Sequence, residues 1–107
     1  MANDFKNAQS VGVTSATTVY TAPATKDSII LELDISNTTA SSVTVDVELL
    51  DNSAGTDAYV IKSAPIAVGG ALKVISGQKI VVERNDSLRV TASGACDVVC
   101  SILEDVN

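Results

Sequence analysis

Residues 28–51 read SIILELDISNTTASSVTVDVELLD. In the first half, Ile29, Leu31, Leu33 and Ile35 alternate with Ile30, Glu32 and Asp34. In the second, Val43, Val45, Val47 and Leu49 alternate with Thr44, Asp46 and Glu48. A two-residue period places each set on one face of an extended strand. The small polar run from Asn37 to Ser42 between them is turn chemistry. So short a connection predicts an antiparallel hairpin centred near residues 39 and 40, with Glu32, Asp34, Asp46 and Glu48 sharing one face. Like charges directly opposite one another destabilise a sheet. The alternative is that the two strands lie in different sheets and the carboxylates never meet.

The same period runs through the rest of the chain, and no segment sustains a 3.6-residue repeat. Strands are predicted at residues 5–13, 17–22, 28–36, 42–51, 58–63, 71–76, 79–83, 87–92 and 97–104, with a weaker piece, IAV, at 66–68. Gly69-Gly70, Ser76-Gly77, Asn85-Asp86 and Ser93-Gly94 read as tight turns, and residues 51–55 as a flexible loop. Pro65 lacks a backbone donor and marks an edge or a connection; Pro23 does the same in TAPATKD. Strands at this spacing predict an all-β protein: a single antiparallel β-sandwich, jelly-roll or Ig-like, of about eight or nine short strands. Residues 1–107 read as one domain, with 1–14 either an N-terminal arm or the first strand.

Composition supports a sandwich with an aliphatic core. Hydrophobic residues make up 46% of the chain but aromatics only 3%, namely Phe5, Tyr20 and Tyr59, so Val, Ile, Leu and Ala must fill the interior. Phe5, flanked by polar residues, reads either as an ordinary core residue or as the anchor of an N-terminal arm. The net charge of −6, with the positive residues scattered, argues against nucleic-acid partners, because such a surface repels phosphates. No apolar run is long enough for a membrane helix, and the first ten residues lack a secretory apolar core. Neither a membrane nor a secretory route is expected.

Several residue groups could carry chemistry. The carboxylates Glu32, Asp34, Asp46 and Glu48 could hold Ca²⁺ or act as a glycosidase-like acid pair. Calcium takes six to eight oxygens, usually from wrapping loops, and sugar clefts stack their substrate on aromatics that this chain lacks. A solvated face, or a contact surface for a partner, is the expected reading. The loop Asp51-Asn52-Ser53-Ala54-Gly55-Thr56-Asp57 has oxygen donors without EF-hand spacing. Cys96 and Cys100 would share a strand face about 13 Å apart, too far for a disulfide, so they are expected as free, buried residues. The chain has no His and no further Cys to complete a soft metal site. No His-assisted nucleophile, Gly-x-Ser-x-Gly or phosphate loop occurs. Asn37-Thr38-Thr39 and Asn85-Asp86-Ser87 match the glycosylation pattern, which carries little weight without a secretory signal. The expectation is a protein with no catalytic, cofactor-binding or metal residues, and no enzyme.

The stretch TVYTAPATKDSIILELDISNTTASSVTVDVELLDNSAG, continued by IKSAPIAVGGALKVISGQKIVVERNDSLRVTASGACDVVCSILE, is similar to small virion structural proteins of tailed bacteriophages, especially marine and cyanobacterial phages. The shared pattern is a Y-x-A-P opening, an aliphatic strand ending in Asn, V-x-V-x-L-x-D, P-I-x-x-G-x-L, and a D-S-hydrophobic-x-V strand. Asn85 stands where the pattern has Gly before Asp86-Ser87. The resemblance spans about residues 17–104 and brings no catalytic residues. It implies a non-enzymatic structural protein on the exterior of a virion assembled in the host cytoplasm. A capsid decoration or cement protein is the leading form, with itself as a homo-oligomer and the major capsid protein as partners. A neck, tail, baseplate or fibre-associated module is the alternative within that class. A carbohydrate-binding or adhesion sandwich is the alternative outside it.

Overall fold

A computed structural model describes residues 3–106. They form eight strands: β1 (Asp4–Val13), β2 (Thr17–Thr21), β3 (Ser28–Asn37), β4 (Val43–Asp51), β5 (Thr56–Ile66), β6 (Ala71–Val82), β7 (Ser87–Ala92) and β8 (Cys96–Glu104). Two four-stranded antiparallel sheets result, in the orders β1-β8-β3-β6 and β2-β7-β4-β5. We call them the first and second sheets. β1 pairs with β8, β2 with β7, β3 with β6 and β4 with β5, while β8 also joins β3 and β7 joins β4. The chain is thus one long hairpin, with its tip at residues 52–55, rolled so that its arms alternate between sheets. This is the jelly-roll form of the sandwich.

The hairpin predicted between residues 28–36 and 42–51 does not form. β3 lies in the first sheet and β4 in the second. Buried Asn37 directs the crossing between them. Its Nδ2 donates to the carbonyls of Ser41 and Ile66 at 2.8 and 3.0 Å, and its Oδ1 accepts from Thr39 N and Oγ1. Those bonds turn the chain over the end of the sandwich, so the apolar faces of β3 and β4 oppose each other across the core. Asn37 is therefore a structural residue, its amide occupied and 5% exposed.

The inward set of β3 also differs from the expected alternation. Ile30, Leu33 and Ile35 are buried, and Ile29 and Leu31 are not. A bulge at Leu31 shifts the phase: Ile30 pairs with Ile102, whereas Glu32 pairs with Ser101. On β4, Val43, Val45 and Val47 point inward as the alternation predicts. Residues 71–76 and 79–83, read as two strands, are one strand to Val82, and residues 77–79 bulge within it. Of the IAV piece, only Ile66 is in a strand, as the end of β5.

The core is aliphatic. Ile30, Leu33, Ile35, Ile75, Leu88, Ile102 and the valines 45, 47, 82, 90 and 98 are fully buried, with Cys96 and Cys100 among them. Both cysteines are free, at alternate positions on the inner face of β8. Burial pushes the Cys100 thiol up to about 12. Phe5 is no core residue: it is 78% exposed. Pro65 sits in β5, an edge strand, where a missing donor is tolerated.

Candidate functional site

The four carboxylates of the opening stretch are split between the sheets. On the first, Lys73 Nζ lies 3.5 Å from Glu32 Oε2. Burial, and then Glu32 beside it, raises the pKa of Asp34, while hydrogen bonding with Asp34, and then Lys73, lowers that of Glu32. On the second, Asp46 Oδ1 accepts from Ser63 N at 2.7 Å, and its other oxygen faces Lys62 Nζ at 3.7 Å. Glu48 takes a two-pronged bond from Arg89, at 3.1 Å to each oxygen from Nη2. Each sheet supplies its own cations, and no four-carboxylate site forms.

A different acidic group comes together at the hairpin tip. Ligand oxygens of Asp51, Glu83 and Asp86 lie within 4.8 Å of one another, close enough to share a cation. Two of the three already shape the chain. Asp51 Oδ1 accepts from Ser53 N, Ser53 Oγ and Ala54 N, bonds that hold its pKa below the usual carboxylate range. Asp86, 2% exposed, accepts from Asn52 N at 2.9 Å. Of the predicted loop, only Asp51 contributes; Glu83 and Asp86 arrive from the β6–β7 turn, which the paired arms bring alongside.

One buried polar cluster was invisible in the sequence. Glu104, 4% exposed, accepts from Tyr20 Oη at 2.6 Å and from Lys6 Nζ at 2.7 Å. Tyr20 Oη also meets Ser28 Oγ at 2.8 Å. The Lys6 bond, and then the Tyr20 bond, lower the Glu104 pKa. Desolvation, and then Glu104, raise Tyr20 to about 12. The cluster ties β1, β2, β3 and β8 at one end of the sandwich. Its members are up to 98 positions apart (104 − 6), so no local motif announced it.

The outer face of the first sheet carries the feature best suited to contact. Phe5 pairs with Leu103, Leu103 with Ile29, and Ile29 with Val81. Directly paired residues project to the same side, so four large apolar side chains form a row across all four strands. Phe5 and Val81 are 78% and 57% exposed. Phe5, Asn7, Leu31 and Ser101 line a shallow depression beside the row. The signal was partly present: Ile29-Ile30-Leu31 is apolar in either phase, so one phase must face outward.

No family model and no curated protein matches the chain. Among solved structures, a chain from Bacillus endospore appendages, described as a novel family of disulfide-linked pili, aligns with a TM-score of 0.51 and 18% identity. The alignment covers 98% of this chain and 87% of that one. A chain from infectious bursal disease virus, strain Gx, aligns over 97% of this chain and 36% of its own, with 16% identity and a TM-score of 0.39. At the first of these similarities the likeness is one of fold, and fold does not fix function.

Proposed function

We propose that the chain is a non-enzymatic structural protein of a tailed-phage particle, acting as a decoration or cement protein that bridges shell subunits. The observation that carries this reading is the apolar row Phe5–Leu103–Ile29–Val81 on the first sheet. Large side chains placed in water at that register have no role in the core and suit a contact surface. The resemblance of residues 17–104 to phage virion proteins supports the same reading. So does the net charge of −6, which suits an exterior position over contact with packaged DNA. The linkage described for the endospore appendages has no ready counterpart here, since Cys96 and Cys100 are both buried.

Labelling the protein on intact particles and counting its copies tests the proposal. Label over the head, with a copy number that scales with the shell subunits, supports it. Label confined to the neck or tail, in a small symmetric set, replaces it with the tail-module reading. Val81→Lys with Ile29→Lys is expected to abolish binding to particles lacking the protein while leaving the purified protein folded.

A further inference from the structure

We propose that β1 is a self-pairing edge, through which two copies join antiparallel about a twofold axis at Ala8 to make one eight-stranded sheet. The inference deepens the structural role above and rests on it for its biological sense.

The first ground is a contrast among the edges. A sheet edge offers unpaired backbone groups, and soluble proteins usually disrupt it with bulges, charges or proline. Strand β6 carries bulged residues 77–79, positive φ at Gly77 and Lys79, and lysines at 73 and 79. Strand β5 has two register breaks, positive φ at Ser63, and Pro65. Strand β2 has five residues and a register break. By contrast, β1 is regular against β8 from Asp4 to Ser10, its register break and positive-φ Gly12 fall beyond that run, and its charges, Asp4 and Lys6, cancel.

The second ground is which groups β1 leaves open. Asn3 N donates to Asp105 O at 2.7 Å, in the same register that pairs Asp4 with Glu104. Asn3 and Asp105 both have positive φ, +59° and +56°, so the strand's alternation restarts after them. Thr38 N donates to Ala95 O and Val106 N to Asp27 O, which turns Asp97, Val99, Ser101 and Leu103 of β8 toward β3. Antiparallel bonding alternates, so Asp4, Lys6, Ala8 and Ser10 bond inward to β8. Phe5, Asn7, Gln9 and Val11 then turn their N–H and C=O groups outward.

The third ground is the strand's chemical symmetry about Ala8. Phe5 and Val11, 78% and 79% exposed, are equidistant from it, as are the amides Asn7 and Gln9 and the polar Lys6 and Ser10. A twofold axis at Ala8 sets Phe5 against Val11 of the second copy, and Asn7 against Gln9. No like charges meet. The Phe5–Val11 and Asn7–Gln9 pairs, each occurring twice, supply about eight main-chain hydrogen bonds. An axis at Lys6 would oppose two lysines. For a protein of net charge −6, this neutral strip lets two copies approach with little repulsion. Pairing also makes the two apolar rows parts of one continuous outer face.

Mixing the Phe5→Cys and Val11→Cys variants of the full chain under oxidation tests the register. Residues 5 and 11 would face each other at a hydrogen-bonded position, with Cα atoms about 5.5 Å apart, within reach of a disulfide. The expected result is a crosslinked heterodimer from the mixture, with neither variant forming dimers alone. Sedimentation of the wild type up to about 1 mM, a range that reaches weak affinities, is expected to show a monomer–dimer equilibrium. Asn7→Pro should abolish it with the thermal midpoint nearly unchanged, since the lost N–H points away from β8. Crosslinking by Phe5→Cys alone, or a wild type monomeric throughout, overturns the proposal. A dimer unaffected by Asn7→Pro also overturns it, by placing the contact elsewhere. A confirmed dimer with no label on particles would instead leave self-pairing standing and remove the virion role.

Discussion

The two edges of the first sheet face the same problem and meet it differently. At β6 the chain disrupts its own edge. Residues 77–79 bulge opposite Leu31, and Gln78 folds back, donating from Nε2 to Val74 O at 3.0 Å and accepting from Ser76 N at 2.9 Å. Backbone groups that a foreign strand could use are consumed locally. At β1 nothing comparable occurs over seven consecutive paired residues, Asp4 to Ser10, and the strand is instead held down by Lys6 reaching Glu104. The difference teaches that exposure to pairing is set by side chains and bulges, and not by position in the sheet. Both strands are edges; only one is open.

Substitutions can push each edge toward the other. The largest effect is expected from Glu104→Ala, which takes the anchor from β1 and leaves the Tyr20 hydroxyl without its buried acceptor. Loss of a charge-assisted buried bond predicts about 2–3 kcal/mol of destabilisation, read from urea unfolding. Next is Gly77→Val at β6. A β-branched residue at φ +98° is expected to cost roughly 1–3 kcal/mol and to disturb the bulge. Hydrogen exchange at Val74 and Ser76 should accelerate. Gln78→Ala follows, at about 0.5–1.5 kcal/mol, with increased light scattering at high concentration as the uncovered edge begins to self-associate. Unchanged scattering would show that the bulge guards β6 unaided. The smallest effect is expected from Lys73→Ala, because the Lys73–Glu32 pair is exposed and screened by solvent.

The pH dependence separates the edges as well. The folded pKa of Glu104 is depressed, so its contribution is complete above the unfolded glutamate value and is lost as pH falls through the depressed one. Tyr20 behaves oppositely. Its folded pKa of about 12 exceeds the ordinary tyrosine value of 10.0, so its contribution is present below 10 and is lost as pH rises from 10 to 12. Glu104→Gln should flatten the acid limb, and Tyr20→Phe the alkaline limb, in denaturation curves followed across pH. In Lys73→Ala the alkaline limb should not change, and the acid limb should change only through Glu32, whose lowered pKa owes part of its shift, after the Asp34 bond, to Lys73.

Much of the architecture was legible because β-branched alternation reports strands directly. The strand read at residues 42–51 was given its correct face, and the two cysteines their burial. Pairing was less legible, since partners are set by contacts across the whole chain. The Asn37 side chain, which sends β4 to the other sheet, looks in sequence like any polar turn residue. The phase of β3 was ambiguous because three consecutive apolar residues, Ile29 to Leu31, satisfy either face. Among candidate sites, Asp51 was visible within a polar loop. Glu83 and Asp86 joined it only through the fold, as did Glu104 with Tyr20 and Lys6.

The rolled hairpin has a further consequence, for kinetics. Its closing pair, Asp51 with Thr56, spans five positions (56 − 51), whereas Asp4 with Glu104 spans one hundred (104 − 4). Each pair formed shortens the loop that the next must close, so zippering from the tip lowers an entropy cost that direct closure would meet in full. The order predicted is β4–β5 first and β1 last, with β1 the earliest to detach on unfolding. The edge left open for a second copy is then also the segment with the latest arrival. A newly made chain would present that edge only after the rest of the sandwich is complete, which delays association until there is a finished subunit to associate.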